Sequence, residues 1–153
     1  MSGFTDAELY TKHADELVRL ATGLVGPDDA ADVVSSAVAR LLGSPAWRGA
    51  RDQRAYLFRS VVNEARMHHR AGRRRRAREL RAAPRESAED RRDVEALAYM
   101  SVLSVRQRAV VVLTYWHDLD QEQIAATLGI SRSTVARHLD RAHTRLREVM
   151  GDD

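Results

Sequence analysis

The chain contains no cysteine and only three prolines in 153 residues. Without cysteine there can be no disulfide, no thiolate nucleophile and no cysteine-ligated zinc. So few prolines leave long segments free to run as unbroken helix. Aromatic residues make up only 5%, which suits an all-helical chain. No apolar run approaches the ~18 residues of a membrane span, so membrane insertion is not expected. No signal-peptide pattern opens the sequence, and a cytoplasmic location is expected. A glycine-rich phosphate loop and a nucleophile elbow are both missing. Six histidines are present, but none stands with a carboxylate in a metal-binding motif, and the adjacent His68 and His69 point to different helix faces. We therefore expect no enzymatic activity, no metal and no cofactor.

What is present is charge, unevenly spread. The formal net charge is +3. Residues 1–53 carry −3, residues 54–78 carry +8, residues 79–95 carry −2, and residues 96–153 are neutral. One segment thus holds the cationic field, a pattern that points to a polyanionic partner. With 44% apolar residues the chain can also bury a core, in one ordinary domain or two small ones.

The most informative stretch is DQEQIAATLGISRSTVARHLDRAHTRLREVM, from Asp120 to Met150. Asp120 with Gln123 makes a capping box, and Gly129 suits a left-handed C-cap. Ile124, Ala125 and Leu128 share one helical face, while Val135, Leu139, Ala142 and Leu146 share another. Ser131 or Ser133 can cap the second helix. The spacing predicts a helix-turn-helix, with small Ala125 where the helices cross. Arg132, Ser133, Thr134, Arg137, His138 and Arg141 then fall on the outer face, where this motif meets base edges and phosphates. A helical hairpin with a solvated arginine face is the blander reading of the same pattern.

Earlier in the chain, Thr5 and Glu8 form a second capping box. It opens an amphipathic helix with Leu9, His13, Leu17, Leu20 and Leu24, which ends near Gly26. Pro27, at a first helical position, and Asp28 and Asp29, at the positive dipole end, open the next helix. Its apolar face is Val33, Val34, Ala37, Val38, Leu41 and Leu42. Gly43-Ser44-Pro45 stops it, and a loop through Trp47, Arg48 and Gly49 follows. Asp52 caps a long third helix with Tyr56, Leu57, Phe58, Val61, Val62 and Ala65 inward. Its basic face and tail hold Arg59, Arg66, Arg70 and the run Arg73 to Arg76. Cations beside aromatics suit gripping a backbone while stacking on exposed bases; core packing is expected to claim at least one of the aromatics. Residues 79–93 read as a linker that could reach ~50 Å if extended, so two lobes could sit on separated segments of one duplex. The lobes are then residues 1–78 and 94–153. Ser104 and Gln107 form a third capping box, before Val110, Val111, Leu113 and Tyr115.

In this order the chain resembles a bacterial RNA polymerase sigma factor of the extracytoplasmic-function group. SVRQRAVVVLTYWHDLDQEQIAATLGISRSTVARHLDRAHTRLRE is similar to the family's fourth conserved region. DDAADVVSSAVARLL and RAYLFRSVVNEARMHHRAGRRRR are similar to its second. The resemblance implies a promoter-specificity subunit that binds core RNA polymerase together with double-stranded and locally melted promoter DNA. It implies −35 recognition by Arg132, Ser133, Thr134, Arg137, His138 and Arg141. It implies −10 recognition by Trp47, Arg59, Asn63, Arg66, Arg70, Arg73 and Arg74, within a surface running from the Trp47–Arg54 loop onto the third helix. Docking on the clamp helices of the largest polymerase subunit falls to Asp28, Asp29, Asp32, Ser35 and Ser36. An anti-sigma protein is a further partner of such proteins.

The resemblance departs at Ser35 and Ser36, where the family usually has Gln-Glu or a similar pair. The lost charge predicts weaker docking, unless other contacts compensate. That departure supports a rival reading, a stand-alone helix-turn-helix regulator that docks poorly on polymerase. Such regulators usually dimerise, and no heptad seam follows Met150. An enzyme is the third and weakest reading.

Overall fold

The computed structural model describes residues 5–79 and 98–151. Among them there is no strand. The order is α1 (Asp6–Val25), α2 (Ala30–Leu42), α3 (Pro45–Arg48), α4 (Gln53–Glu79), α5 (Val105–Tyr115), α6 (Gln121–Leu128) and α7 (Arg132–Met150). Residues 98–100 are also helical. The chain is all-α and built as two lobes, α1–α4 and α5–α7. Most of the expected linker, residues 80–93, lies outside the described residues.

Three capping boxes close as their spacing predicts. Glu8 N donates to Thr5 Oγ1 (3.2 Å) while Thr5 N donates to Glu8 Oε2 (2.9 Å). The Ser104–Gln107 and Asp120–Gln123 pairs do the same. Each box satisfies amides that the first helical turn leaves without partners. Ala55 N donates to Asp52 Oδ1 at 3.0 Å, so Asp52 opens α4 as expected.

Three local expectations fail. The second helix begins at Ala30, not at Pro27. Asp29 is its N-cap residue but has αR backbone angles (φ −101°, ψ −9°) and makes no side-chain cap. A capping side chain needs an extended backbone to reach back to the first-turn amides, and Asp29 instead meets His68 Nε2 at 3.2 Å. The segment around Trp47 is not a loop but the one-turn α3, with Pro45 in its first turn. Leu42, assigned to the apolar face of α2, is 45% exposed at the helix end.

The two lobes share one hydrophobic core. Leu17, Leu20, Leu24, Phe58 and Val61 pack in the same cluster as Val110, Val112, Leu113, Ile124 and Val135. Close approach is possible because α1 carries Gly23 where it meets α5: a Cβ there would stand 2.7 Å from Val112 Cγ2. Arg108, 8% exposed, joins the lobes by donating to the carbonyls of Leu103 and Leu24. The separated lobes that an extended linker would allow are therefore not the arrangement seen.

Candidate nucleic-acid interface

Helices α6 and α7 form the expected helix-turn-helix. Gly129 closes α6 in the left-handed region (φ +68°), which glycine adopts without steric cost. Ser131 caps α7, accepting from Thr134 N at 3.1 Å. Ile124, Ala125, Val135 and Ala142 are buried, and Leu128, Ile130 and Leu139 pack against them. With that face inward, Arg132, Ser133, Arg137 and Arg141 are exposed along α7. Thr134 is half-buried, and its Oγ1 lies 2.8 Å from Ser131 Oγ and accepts from Arg137 Nη2 at 3.3 Å. His138 is turned sideways and half-buried. Burial, then Arg106, Arg137 and Arg141, lower its pKa from the ordinary 6.5. Its Nδ1 has no hydrogen-bond partner among the described residues.

The first lobe divides its expected DNA contacts differently. Trp47 is 3% exposed, and its indole N–H donates to Asp6 Oδ1 at 2.8 Å. It cannot stack on a base from this position. Tyr56 packs beside it, with ring centroids 6.2 Å apart. Core packing has claimed Phe58 outright. Arg54, in the surface expected to face the melted strand, is paired with Glu16 at 3.0 and 3.1 Å and lies 4.5 Å over the Phe58 ring. The Arg54 hydrogen bond holds the Glu16 carboxyl down at about 2, against an ordinary 4.5.

Arg59 reaches across to the other lobe. Its Nε donates to Thr127 O (3.0 Å) and its Nη2 to Ala126 O (2.9 Å). These are carbonyls of the last turn of α6, which a helix end leaves without partners. Arg59 is thus a C-cap for the helix-turn-helix and is not available to a −10 strand in this arrangement. Asn63 and Arg70 are exposed, and Arg66 is half-buried. Burial, followed by Arg106 and Arg70, lowers the Arg66 pKa. Arg73 and Arg74 belong to α4, but their side chains lie outside the described residues.

On α2 and the turn before it, Asp28, Asp32, Ser35 and Ser36 are exposed. Asp29 is half-buried against His68. Sequence reasoning missed Arg108 and Gly23, the residues on which lobe contact turns. A signal existed for both: Arg108 stands directly before the apolar run 109–113 and one helical turn after Val105, and Gly23 is a glycine inside a helix. His117, just past the end of α5, packs edge-on against Phe58 with centroids 5.3 Å apart. Burial is the first cause that lowers its pKa. Among the described residues there is no cluster of metal-ligating groups, and no helix is long and apolar enough to cross a membrane.

Two all-helical lobes, one presenting an arginine-lined helix-turn-helix, define a DNA-binding protein of bipartite design. Residues 9–75 match the family Sigma-70 region 2, and residues 99–148 match Sigma-70, region 4. RNA polymerase sigma-E factors from Streptomyces antibioticus and Streptomyces avermitilis are each 37% identical over 157 residues, covering 94% of this chain and 83% of theirs. In solved structures, the fold is shared with the sigma factor RpoE in complex with the anti-sigma factor NepR from Bartonella quintana (TM-score 0.67, 21% identity, 94% of this chain and 95% of that one). It is also shared with CnrH in complex with the cytosolic domain of CnrY (TM-score 0.68, 23% identity, 95% and 86%). The chain belongs to the extracytoplasmic-function group of RNA polymerase sigma factors.

Proposed function

We propose that this sigma factor directs initiation by reading a −35 element through α7 and a −10 element through α4, while α2 docks on core polymerase. The observation that carries the reading is the open arginine face of α7 on the same chain as a second cationic helix. Arg132, Ser133, Thr134, Arg137 and Arg141 meet the −35 duplex, with His138 at its flank. Asn63, Arg66, Arg70, Arg73 and Arg74 meet the −10 strands, and arginines of this kind hold phosphates while bases are read on their edges. Trp47 acts by fixing α3 against α1 and not by stacking. Arg59 joins the −10 contacts only after it leaves Thr127 and Ala126, so promoter binding and lobe opening are coupled. Residues 1–78 and 94–153 are the working lobes, and 79–93 is the tether that lets them part. Asp28, Asp29, Asp32, Ser35 and Ser36 form the polymerase-facing edge. Work on the bacterial chromosome places the protein in the cytoplasm, as a binding subunit without catalysis of its own. An anti-sigma protein is the partner that would hold it inactive, as the complexes with NepR and CnrY suggest by analogy of fold.

Run-off transcription with core polymerase of the same organism tests this directly. Initiation from a promoter with defined −35 and −10 boxes is expected. Tight DNA binding that never supports initiation would favour a stand-alone regulator instead. Ser35→Gln with Ser36→Glu should strengthen core binding in a competition assay, and no gain would show that these positions do not limit docking.

A further inference from the structure

Between the lobes lies a groove of about 980 Å³, walled by α4, the start of α5 and the middle of α7. Arg66 and Arg70 enter from α4, Arg106 from α5, and Arg141 and Arg145 from α7. Asp140 is the single carboxylate among the residues lining it. Four arginines elsewhere in the chain are engaged: Arg40 with Glu64, Arg54 with Glu16, and Arg59 and Arg108 with carbonyls. Among the described residues the five groove arginines make no ion pair and no side-chain hydrogen bond. They also repel one another, since Arg106 and Arg70 both act against the charge on Arg66. A concave wall of like charges drawn from both lobes costs free energy until a counter-charge fills it.

We propose that this groove binds a compact phosphate-rich anion, centred on Arg106, and that the bound anion holds the two lobes together. Guanidinium groups suit the task because their planar donors match phosphate oxygens in pairs. Ser104 to Gln107, the first turn of α5, also line the groove and bring the positive end of an eleven-residue helix to it. The volume is at the upper end of what small-ligand sites use. His138 supplies an internal reporter. Burial first, then its neighbours Arg106, Arg137 and Arg141, disfavour the imidazolium, and an anion in the groove offsets the arginines' share. Arg106 and Arg145 stand outside the promoter contacts assigned above, so the groove is more than an extension of those faces. Its occupant would keep Arg59 on the carbonyls of α6. The phosphate chemistry could come from a free polyphosphate or from a phosphodiester strand.

The experiment is calorimetric titration of the full chain at constant ionic strength, with inorganic tripolyphosphate in one arm and a short oligothymidylate in the other. Arg106→Gln, alone and with Arg145→Gln, is compared with Arg19→Gln, an exposed arginine of α1 that does not line the groove. Arg106→Gln should weaken binding about tenfold, the double variant further, and Arg19→Gln not at all. Binding of tripolyphosphate identifies a free polyphosphate as a sufficient source, and binding of the oligonucleotide alone identifies a strand. Equal losses in Arg106→Gln and Arg19→Gln, or no binding in either arm, would overturn the site. A second readout uses dyes at Ala39→Cys and Glu148→Cys, selective because the chain has no other cysteine. The anion should shorten the inter-dye distance and raise the His138 pKa by NMR in the wild type but not in Arg106→Gln. A distance that lengthens would overturn the bridging role. Neither assay contains polymerase or promoter, so failure here is separate from failure of the promoter-reading function.

Discussion

Helices α4 and α7 carry the same sequence signal, an apolar stripe backed by arginines, yet their arginines have opposite fates. On α7, Arg132, Arg137 and Arg141 stand in solvent beside the helix-turn-helix. On α4, Arg54 is tied to Glu16 and Arg59 to the other lobe's carbonyls. The difference is set by what lies opposite. Helix α7 turns its arginines away from the shared core, whereas α4 is packed by α1 and α2 and also touches α5 and α6. In this closed arrangement an arginine on a cationic helix is therefore open to a partner only where no internal acceptor reaches it first.

That contrast can be broken by substitution, because engaged arginines should affect stability and open ones should affect DNA binding. The largest effect is expected from Arg108→Ala, which strips a buried donor from Leu103 O and Leu24 O. A loss of about 3 kcal/mol follows from hydrogen bonds to a charged group, seen as a Tm drop of roughly 10 °C in a chain of this size. Arg137→Ala should leave Tm unchanged but lower affinity for the preferred −35 duplex by about 2 kcal/mol, roughly thirtyfold. Equal loss on every −35 sequence would place Arg137 on phosphate alone. Arg59→Ala should lie between the two classes. It should loosen lobe closure by about 1.5 kcal/mol, visible as faster amide exchange around the end of α6, and also weaken −10 binding.

The smallest effect is one of pH, and it comes from the lobe contact. His117 faces Glu16 and Arg19 of α1, Arg54 and Phe58 of α4, and its neighbour Asp118. Its folded pKa lies below the unfolded 6.5, so between the two values the unfolded chain binds a proton that the folded chain does not. Stability should therefore fall as pH drops through 6.5 and level off below the folded value, with His138 adding to the slope. Glu16 acts in a lower window: its depressed pKa stabilises the fold above 4.5, and that contribution is lost as pH falls towards about 2. Denaturant titrations at stepped pH read both windows. His117→Asn should flatten only the upper one, and an unchanged slope there would remove His117 as its source.

Much of the fold was legible because it rests on local rules. Capping boxes at Thr5, Ser104 and Asp120 need only a side chain three residues from its partner, and each formed. The turn at Gly129 and the inward face of α7 followed from spacing alone. What failed depended on contacts distant in sequence. Asp29 stands before a helix, but His68, thirty-nine residues later, takes its carboxylate. Trp47 sits in a stretch rich in turn formers, but Asp6 draws its indole inward. Arg59 has the right place for a promoter contact, and no periodicity reveals that its guanidinium meets Thr127 and Ala126. The half of the candidate site on α7 was thus readable and the half on α4 only partly so, since burial there is decided by the second lobe.

Gly129 is subject to two demands that have nothing to do with each other. The turn between α6 and α7 requires its positive φ, and a Cβ there would also stand 3.1 Å from the Arg59 guanidinium carbon. Any other residue at this position would strain the turn of the helix-turn-helix and require the Arg59 guanidinium to shift by a few tenths of an ångström. One residue therefore serves both the geometry of the helix-turn-helix and the contact between the lobes. Substitutions on the exposed face of α7 leave this turn alone, whereas a substitution at the turn also moves the arginine that joins the two lobes.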